Sequence, residues 1–230
     1  MGGLSTRSGG RMRLGFRIRI PQVDERSHSM IEWKLANVRQ HNFSGGVPKP
    51  VVIMTSYATH DIYQSIAMIM DNFGLEERGG IYTIDNGVQR RLVWDSVLGK
   101  LGDPAKGADG ADLINPPGHY YFVRSLVVSG LMAKLKRQGH AFIYHSNMNN
   151  FGAILNDEYD ALRGLFGKRI IEARTNHQPV PMTLVEIVAN DFNRIGTYPV
   201  NHDSHFALLK DEMFPAEFDR SSLPYFNTGN

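Results

Sequence analysis

Val51-Val52-Ile53-Met54 is an apolar, β-branched run too short for a helix. It empties into Thr55-Ser56-Tyr57-Ala58-Thr59-His60, then into a helical pattern over residues 61–73 that Gly74 closes. A second short run, Ile81-Tyr82-Thr83-Ile84, follows. Strand, helix and strand in that order are the unit of a parallel sheet, because parallel neighbours need a crossover and the helix covers one sheet face. The pattern recurs downstream. Pro116-Pro117-Gly118-His119 precedes a helix expected over 121–138, Gly139 ends it, and Ala141-Phe142-Ile143-Tyr144 reads as the next strand, a buried one. Before the first unit, Phe16-Arg17-Ile18-Arg19-Ile20 alternates apolar and basic as a half-buried strand does. Ser29 is placed to cap a helix over 30–40, with Ile31, Leu35 and Val38 on one face. Leu92-Val93-Trp94 reads as a short strand and 98–112 as a surface excursion. Further on, a helix is expected at 157–166 and strands at 170–173, 183–189 and 206–209. The whole predicts an α/β fold, doubly wound, with a mostly parallel sheet and helices on both faces. There is no internal repeat and no interdomain linker.

Composition removes several function classes. The 230 residues hold 25 basic and 23 acidic side chains, so bulk charge makes no case for nucleic acid. The chain has 0 Cys, which excludes disulfides, thiolate catalysis and Cys-ligated zinc. No apolar run approaches the roughly 20 residues of a membrane helix, and no signal-type segment stands at the N-terminus. A soluble cytoplasmic protein is the default expectation.

Three stretches are candidates for chemistry. Gly2-Gly3-Leu4-Ser5-Thr6-Arg7-Ser8-Gly9-Gly10 has the glycines that let backbone N–H groups approach a phosphate, and an Arg to add a charge-assisted bond. Composition alone favours a disordered start to a solvated basic arm over a phosphate cradle. At the end of the 51–54 strand, Thr59 suits an N-cap, while Thr55 and Ser56 could face a ligand instead, and the two readings weigh the same. The Pro-Pro-Gly-His turn precedes a helix whose first N–H groups favour anions, or it is a stiff turn with a solvated His119. His119, His140 and His145 give no metal-ligand pattern. Residues 141–152, AFIYHSNMNNFG, pose the sharpest question: a strand end crowded with amides, where open α/β sheets hold their ligands.

These stretches occur in an order that resembles the UTP–glucose-1-phosphate uridylyltransferase family, the UDP-sugar pyrophosphorylases, and most closely its long bacterial members. The glycine loop resembles that family's G-G-x-x-T-R-x-G-G, and Met30-Ile31-Glu32-Trp33-Lys34-Leu35 its F-L-E-x-K-L. Residues 52–60 resemble V-x-M-T-S-F-A-T-H, and Pro117-Gly118-His119 the start of P-G-H-G-D. Residues 146–152 resemble S-N-x-D-N-L-G, and 224–230 resemble P-x-F-N-T-N. The resemblance implies a Rossmann-like, GT-A-like nucleotidyltransferase domain. It implies nucleotidyl transfer from UTP to a sugar 1-phosphate with Mg²⁺. It implies Gly2, Gly3, Thr55, Ser56, Gly118, His119 and Asn147 as substrate-binding residues, with Arg7 and Arg194 as catalytic cations.

The departures from the family pattern fall on charge. Asn149 stands where the family has the Asp that binds Mg²⁺, so a neutral amide replaces a carboxylate. Tyr120 and Tyr121 stand where P-G-H-G-D has Gly and Asp. Near 190–198, Arg194 and Gly196 are the echo of a Lys-Gly-Gly segment, and the loop's usual lysine has no clear equivalent. The strand before the loop and the region past Asn230 are expected to be missing, making 1–230 a partial catalytic domain. Two functions remain open: a nucleotidyltransferase, impaired or a fragment, and a domain that binds a nucleotide or partner without turnover. The sequence leaves the oligomeric state undetermined.

Overall fold

The computed structural model describes residues 17–20, 24–45, 47–95, 97–148, 155–180, 187–189, 197–202, 205–210, 214, 218–219, 222–223 and 225–227. The chain divides into two compact units, Met1–Ala141 and Phe142–Asn230.

In the first unit, β1 (Arg17–Ile20) pairs antiparallel with β2 (Asp24–Ser29), which runs straight into α1 (Met30–Phe43). A capping box starts that helix. Ser29 Oγ accepts from the Glu32 backbone N–H at 3.3 Å, and the Glu32 carboxylate accepts from the Ser29 N–H. The helix buries Ile31 and Leu35, the face expected from their spacing. Asn42, near its end, is fully buried. It donates to the carbonyls of Lys49 and Arg78, at 3.0 Å each, and accepts from the Lys49 N–H at 2.9 Å. One side chain thereby ties α1 to the approach to the next strand.

The strand–helix–strand unit is present as the pattern predicts. β3 (Val51–Thr55) lies parallel to β4 (Ile81–Asp85), with Val51 opposite Ile81 and Thr55 opposite Asp85. Between them run α2 (His60–Ile69) and a 3-10 turn at Asp71–Gly74. The expected helix over 61–73 thus stops short. Asn72 and Phe73 take φ of 47° and 56°, and that turn carries Phe73 into the core, where it is 8% exposed. Side chains alternate across the strands. Met54 and Ile84 pack with Leu126, Leu131 and Leu135 on one face. Thr83 faces the other way and hydrogen-bonds the Tyr63 hydroxyl of α2. Helices therefore cover both faces of the parallel pair. Each of these aliphatic side chains contributes about 1.5–3 kcal/mol by leaving water.

The helix expected at 121–138 is two helices, α3 (Phe122–Val128) and α4 (Leu131–Arg137), after a 3-10 turn at His119–Tyr121. Gly130, at φ +73°, makes the break. The excursion holds β5 (Gln89–Arg90), β6 (Leu92–Asp95), β7 (Lys100–Pro104) and β8 (Ile114–Asn115), with β5 antiparallel to β8 and β6 antiparallel to β7.

Residues 141–147 carry no strand, and Phe142 and Ile143, at the start of the second unit, are each 53% exposed, against the expectation of a buried strand there. Phe142 and Tyr144 lie against α5 (Asp157–Thr175) instead. The Phe142 ring lies where a Cβ on Gly167 would stand, 2.9 Å away, and the Arg163 guanidinium stacks 3.8 Å from the Tyr144 ring centre. Helix α5 also runs through residues 170–173, where the β-branched pair Ile170-Ile171 suggested a strand. Helical spacing brings Lys168 to Glu172 at 3.8 Å, and the acidic first turn of Asp157, Glu158 and Asp160 suits the helix dipole. β9 (Ile187–Ala189) pairs antiparallel with β12 (Tyr225–Asn227), and β10 (Thr197–His202) with β11 (His205–Lys210). The strands expected near 183–189 and 206–209 are thus seen at 187–189 and 205–210. No helix among the described residues is long and apolar enough to cross a membrane.

Candidate functional site

The carboxyl ends of β3 and β4 organise a polar corner of the first unit. Thr55, the last residue of β3, is fully buried, as is Ser56 after it. Their hydroxyls are bonded within the turn. Thr55 Oγ1 lies 3.0 Å from His60 Nδ1, and Ser56 Oγ lies 3.3 Å from Thr59 Oγ1. Thr59 sits at the N-cap position of α2 yet makes no side-chain cap bond; its hydroxyl accepts from the Ser56 N–H at 3.1 Å. The turn therefore spends its hydroxyls on its own shape. It also anchors the His60 ring through Nδ1, on a residue that is exposed.

β4 ends beside it. The Asn86 N–H donates to the Thr55 carbonyl at 2.8 Å, so the two strand ends stay locked one residue past the register. The Asn86 side chain is fully buried, and neither its Nδ2 nor its Oδ1 has a hydrogen-bond partner among the described residues. Two residues beyond Ile84, it belongs by period-two alternation to the face that carries Met54 and Leu126. An unpaired amide in such a place costs about 1–3 kcal/mol. Buried polar groups are paired in nearly all native structures, so this one calls for a reason.

The excursion returns to the same corner. Tyr57 Oη donates to the Ile114 carbonyl at 3.2 Å, and Gln89 of β5 stands opposite Asn115 of β8. Pro116-Pro117-Gly118-His119 follows directly. Gly118 has φ +85° and ψ −169°, a conformation closed to side-chain-bearing residues, and it swings the chain into the 3-10 turn. Gly118 is half-buried and His119 exposed. The Tyr57–Ile114 bond thus ties the turn that holds Thr55 and Ser56 to the chain four residues before Gly118.

The other expected site residues are Gly2, Gly3, Arg7, Asn147, Asn149 and Arg194. Gly2, Gly3, Arg7, Asn149, Tyr120's side chain and Arg194 lie outside the described residues. Asn147 is half-buried in the second unit. Among the described residues no group of three His, Cys, Asp or Glu is arranged to hold a metal ion. Sequence reasoning missed Asn86, Tyr57 and Gln89. The Asp85-Asn86-Gly87 tripeptide directly follows the Ile81-Tyr82-Thr83-Ile84 run, and nothing in it signals that the amide is buried.

The comparisons with known proteins agree with this fold. A sequence model of the UTP–glucose-1-phosphate uridylyltransferase family matches residues 9–161. UTP–glucose-1-phosphate uridylyltransferase from Astragalus penduliflorus is 34% identical over 114 residues, which cover 50% of this chain and 23% of that protein. The Hordeum vulgare protein of the same name is 34% identical over 110 residues, 48% of this chain and 22% of its own length. These plant relatives support the family and not the finer placement among long bacterial members. Among solved structures, an Entamoeba histolytica protein described as a UDP-N-acetylglucosamine pyrophosphorylase superposes with a TM-score of 0.65 at 16% identity, covering 99% of this chain and 54% of that one. A mutant UDP-glucose pyrophosphorylase from Leishmania major, in complex with UDP-Glc, gives 0.63 at 14% identity, covering 100% and 47%. The chain therefore spans about half the length of these structures, and their likeness establishes the α/β, Rossmann-like nucleotidyltransferase fold. With the family's sequence pattern running through the helix α1, the β3 turn and the Pro-Gly-His corner, this chain belongs to the UTP–glucose-1-phosphate uridylyltransferase family.

Proposed function

We propose that this chain carries the nucleotide-binding part of a uridylyltransferase, which transfers a uridylyl group from UTP to a sugar 1-phosphate. In that reaction a phosphate oxygen of the sugar attacks the α-phosphorus and the bond to the β-phosphate breaks, releasing pyrophosphate. No covalent intermediate on the protein is needed. The work is alignment and charge neutralisation. The observation that carries the reading to this corner is Asn86, a buried amide with donor and acceptor both unpaired beside Thr55. A nucleobase edge offers the complementary pair. In this reading Thr55 and Ser56 shape the floor, Gly118 lets the ligand approach the backbone and His119 lines the pocket; Asn147 is assigned to substrate on the family resemblance alone. Gly2, Gly3, Arg7 and Arg194 are assigned to the phosphates on the family resemblance alone.

Mg²⁺ belongs to the reading through the family, and Asn149 takes the position of its ligand. An amide oxygen is a poor exchange for a carboxylate toward a hard cation, so no step is routed through the metal here. A second reading, a domain that binds nucleotide without turnover, is favoured by that residue and by Tyr121 in the family's Asp position. A cytoplasmic location is part of both. Calorimetric titration with UTP, with and without Mg²⁺, beside a pyrophosphate-release assay decides between them. We expect weak UTP binding with little Mg²⁺ dependence, and slow or absent release. In Asn149→Asp we expect Mg²⁺-dependent binding to strengthen. Robust Mg²⁺-dependent release by the unaltered chain would set aside the second reading and the weight given to Asn149.

A further inference from the structure

We propose that Arg124 is a phosphate-binding residue of this site, oriented by Tyr121, and that it binds the phosphates of the nucleotide; this rests on the nucleotide-site reading above. Arg124 lies in the first turn of α3 and is exposed. Its guanidinium carbon stands 5.0 Å from the centre of the Tyr121 ring, and its Nη1 donates to Tyr121 Oη at 2.9 Å. Gln89 Nε2 donates to the same oxygen at 3.5 Å. The phenol is therefore held from the β5 side and in turn holds the guanidinium. Gln89 follows Asn86 by a short turn, and Tyr121 follows His119, so the clasp spans the two walls of the proposed pocket.

Arg124 differs in charge balance from the paired arginines of the chain, though Arg39 and Arg78, which lie over the Phe43 ring, share its lack of a carboxylate partner among the described residues. Arg17 faces Glu32 at 3.4 Å, Arg90 faces Asp112 at 3.1 Å, and Arg163 faces Asp160 at 3.3 Å. Among the described residues no carboxylate pairs with Arg124; its contacts go to a neutral phenol. The ring fixes the side chain by stacking and leaves the positive charge uncancelled. A planar guanidinium so fixed has less side-chain entropy to lose and offers paired donors to a phosphate. The residue at 121 matters for the same reason. An Asp there, as in the family's P-G-H-G-D pattern, would stand three residues before Arg124 on the same side of the helix start and neutralise it. Tyr121 turns a balanced pair into a net cation, in a chain whose glycine loop lacks a clear lysine.

The test is titration of UTP, uridine and glucose 1-phosphate into the unaltered chain, Arg124→Gln, Arg124→Lys and Tyr121→Asp, with thermal midpoints as a check on folding. Arg124→Gln should weaken UTP about tenfold, equivalent to about 1.4 kcal/mol, and leave uridine unchanged. Arg124→Lys should recover part of the loss, because a point charge cannot pair in two places. Tyr121→Asp should lose as much as Arg124→Gln. Unchanged UTP affinity in Arg124→Gln would overturn the assignment while leaving the nucleotide site standing. Equal loss of UTP and uridine would make the role structural and overturn it. Loss confined to glucose 1-phosphate would overturn the choice of nucleotide. Failure of the unaltered chain to bind either UTP or uridine would remove the site and the assignment together.

Discussion

Asn42 and Asn86 are the same side chain in two regions of one unit, each fully buried, and their surroundings are opposite. Asn42 sits between α1 and the approach to β3 with three hydrogen bonds of 2.9–3.0 Å to backbone groups of Lys49 and Arg78. Asn86 sits at the carboxyl ends of β3 and β4 with none among the described residues. The first closes the fold. The second is buried and unpaired at the strand ends, beside which sheets of this kind receive ligands. A buried amide is thus no sign of function by itself; the state of its partners separates scaffold from site.

The largest expected effect tests the scaffold side. Asn42→Ala strands the Lys49 N–H and two carbonyls in the interior, and should cost about 3 kcal/mol in chemical unfolding, at about 1 kcal/mol or more for each group left unpaired. UTP affinity, measured where the variant is folded, should not move. A drop in affinity beyond the unfolded fraction would blur the division between the two regions. A smaller effect is expected at the start of α1. Ser29→Ala removes one arm of the capping box and should cost about 1 kcal/mol, again with unchanged binding.

A gentler probe of the same region is pH. Burial pushes the Glu32 carboxyl up, but hydrogen bonds from Ser29 and the charges of Arg17 and His28 outweigh it and hold its pKa below the ordinary 4.5. A carboxylate depressed in the folded state adds stability above its unfolded pKa. That contribution is lost as pH falls from 4.5 through the lower folded value. Glu32→Gln should therefore narrow the gap in thermal midpoint between neutral and acidic pH. An identical acid limb in the variant would remove Glu32 from this role.

How much of this was legible follows the same division. The β3–α2–β4 unit was readable because two short β-rich runs flank a longer helical pattern, and α1 because Ser29 stands before Ile31, Leu35 and Val38 at helical spacing. Residues 141–144 misled because an apolar run has the same composition whether it pairs in a sheet or lies along a helix, as Phe142 and Tyr144 do against Gly167 and Arg163. Ile170-Ile171 misled because local β preference was read before the period of the helix that began at Asp157. Gly130 was visible and read through, since a glycine inside a helical pattern breaks it only where the backbone turns left-handed. In the corner, the Thr-Ser turn and Pro-Gly-His were found by motif. Asn86 was not, because burial and pairing arise from tertiary closure and leave no mark on the local sequence.

Asn86→Leu measures the central claim most directly, by thermal midpoint without ligand and by calorimetric titration of UTP. A leucine of similar size removes a buried unpaired amide, so the unliganded protein should hold or gain stability, by up to about 1 kcal/mol. UTP and uridine should both weaken, about tenfold or more, at about 1.4 kcal/mol per factor of ten. A variant that loses stability and binds UTP as the unaltered chain does would show that Asn86 belongs to the scaffold, as Asn42 does, and would contradict the placement of the nucleotide at this corner.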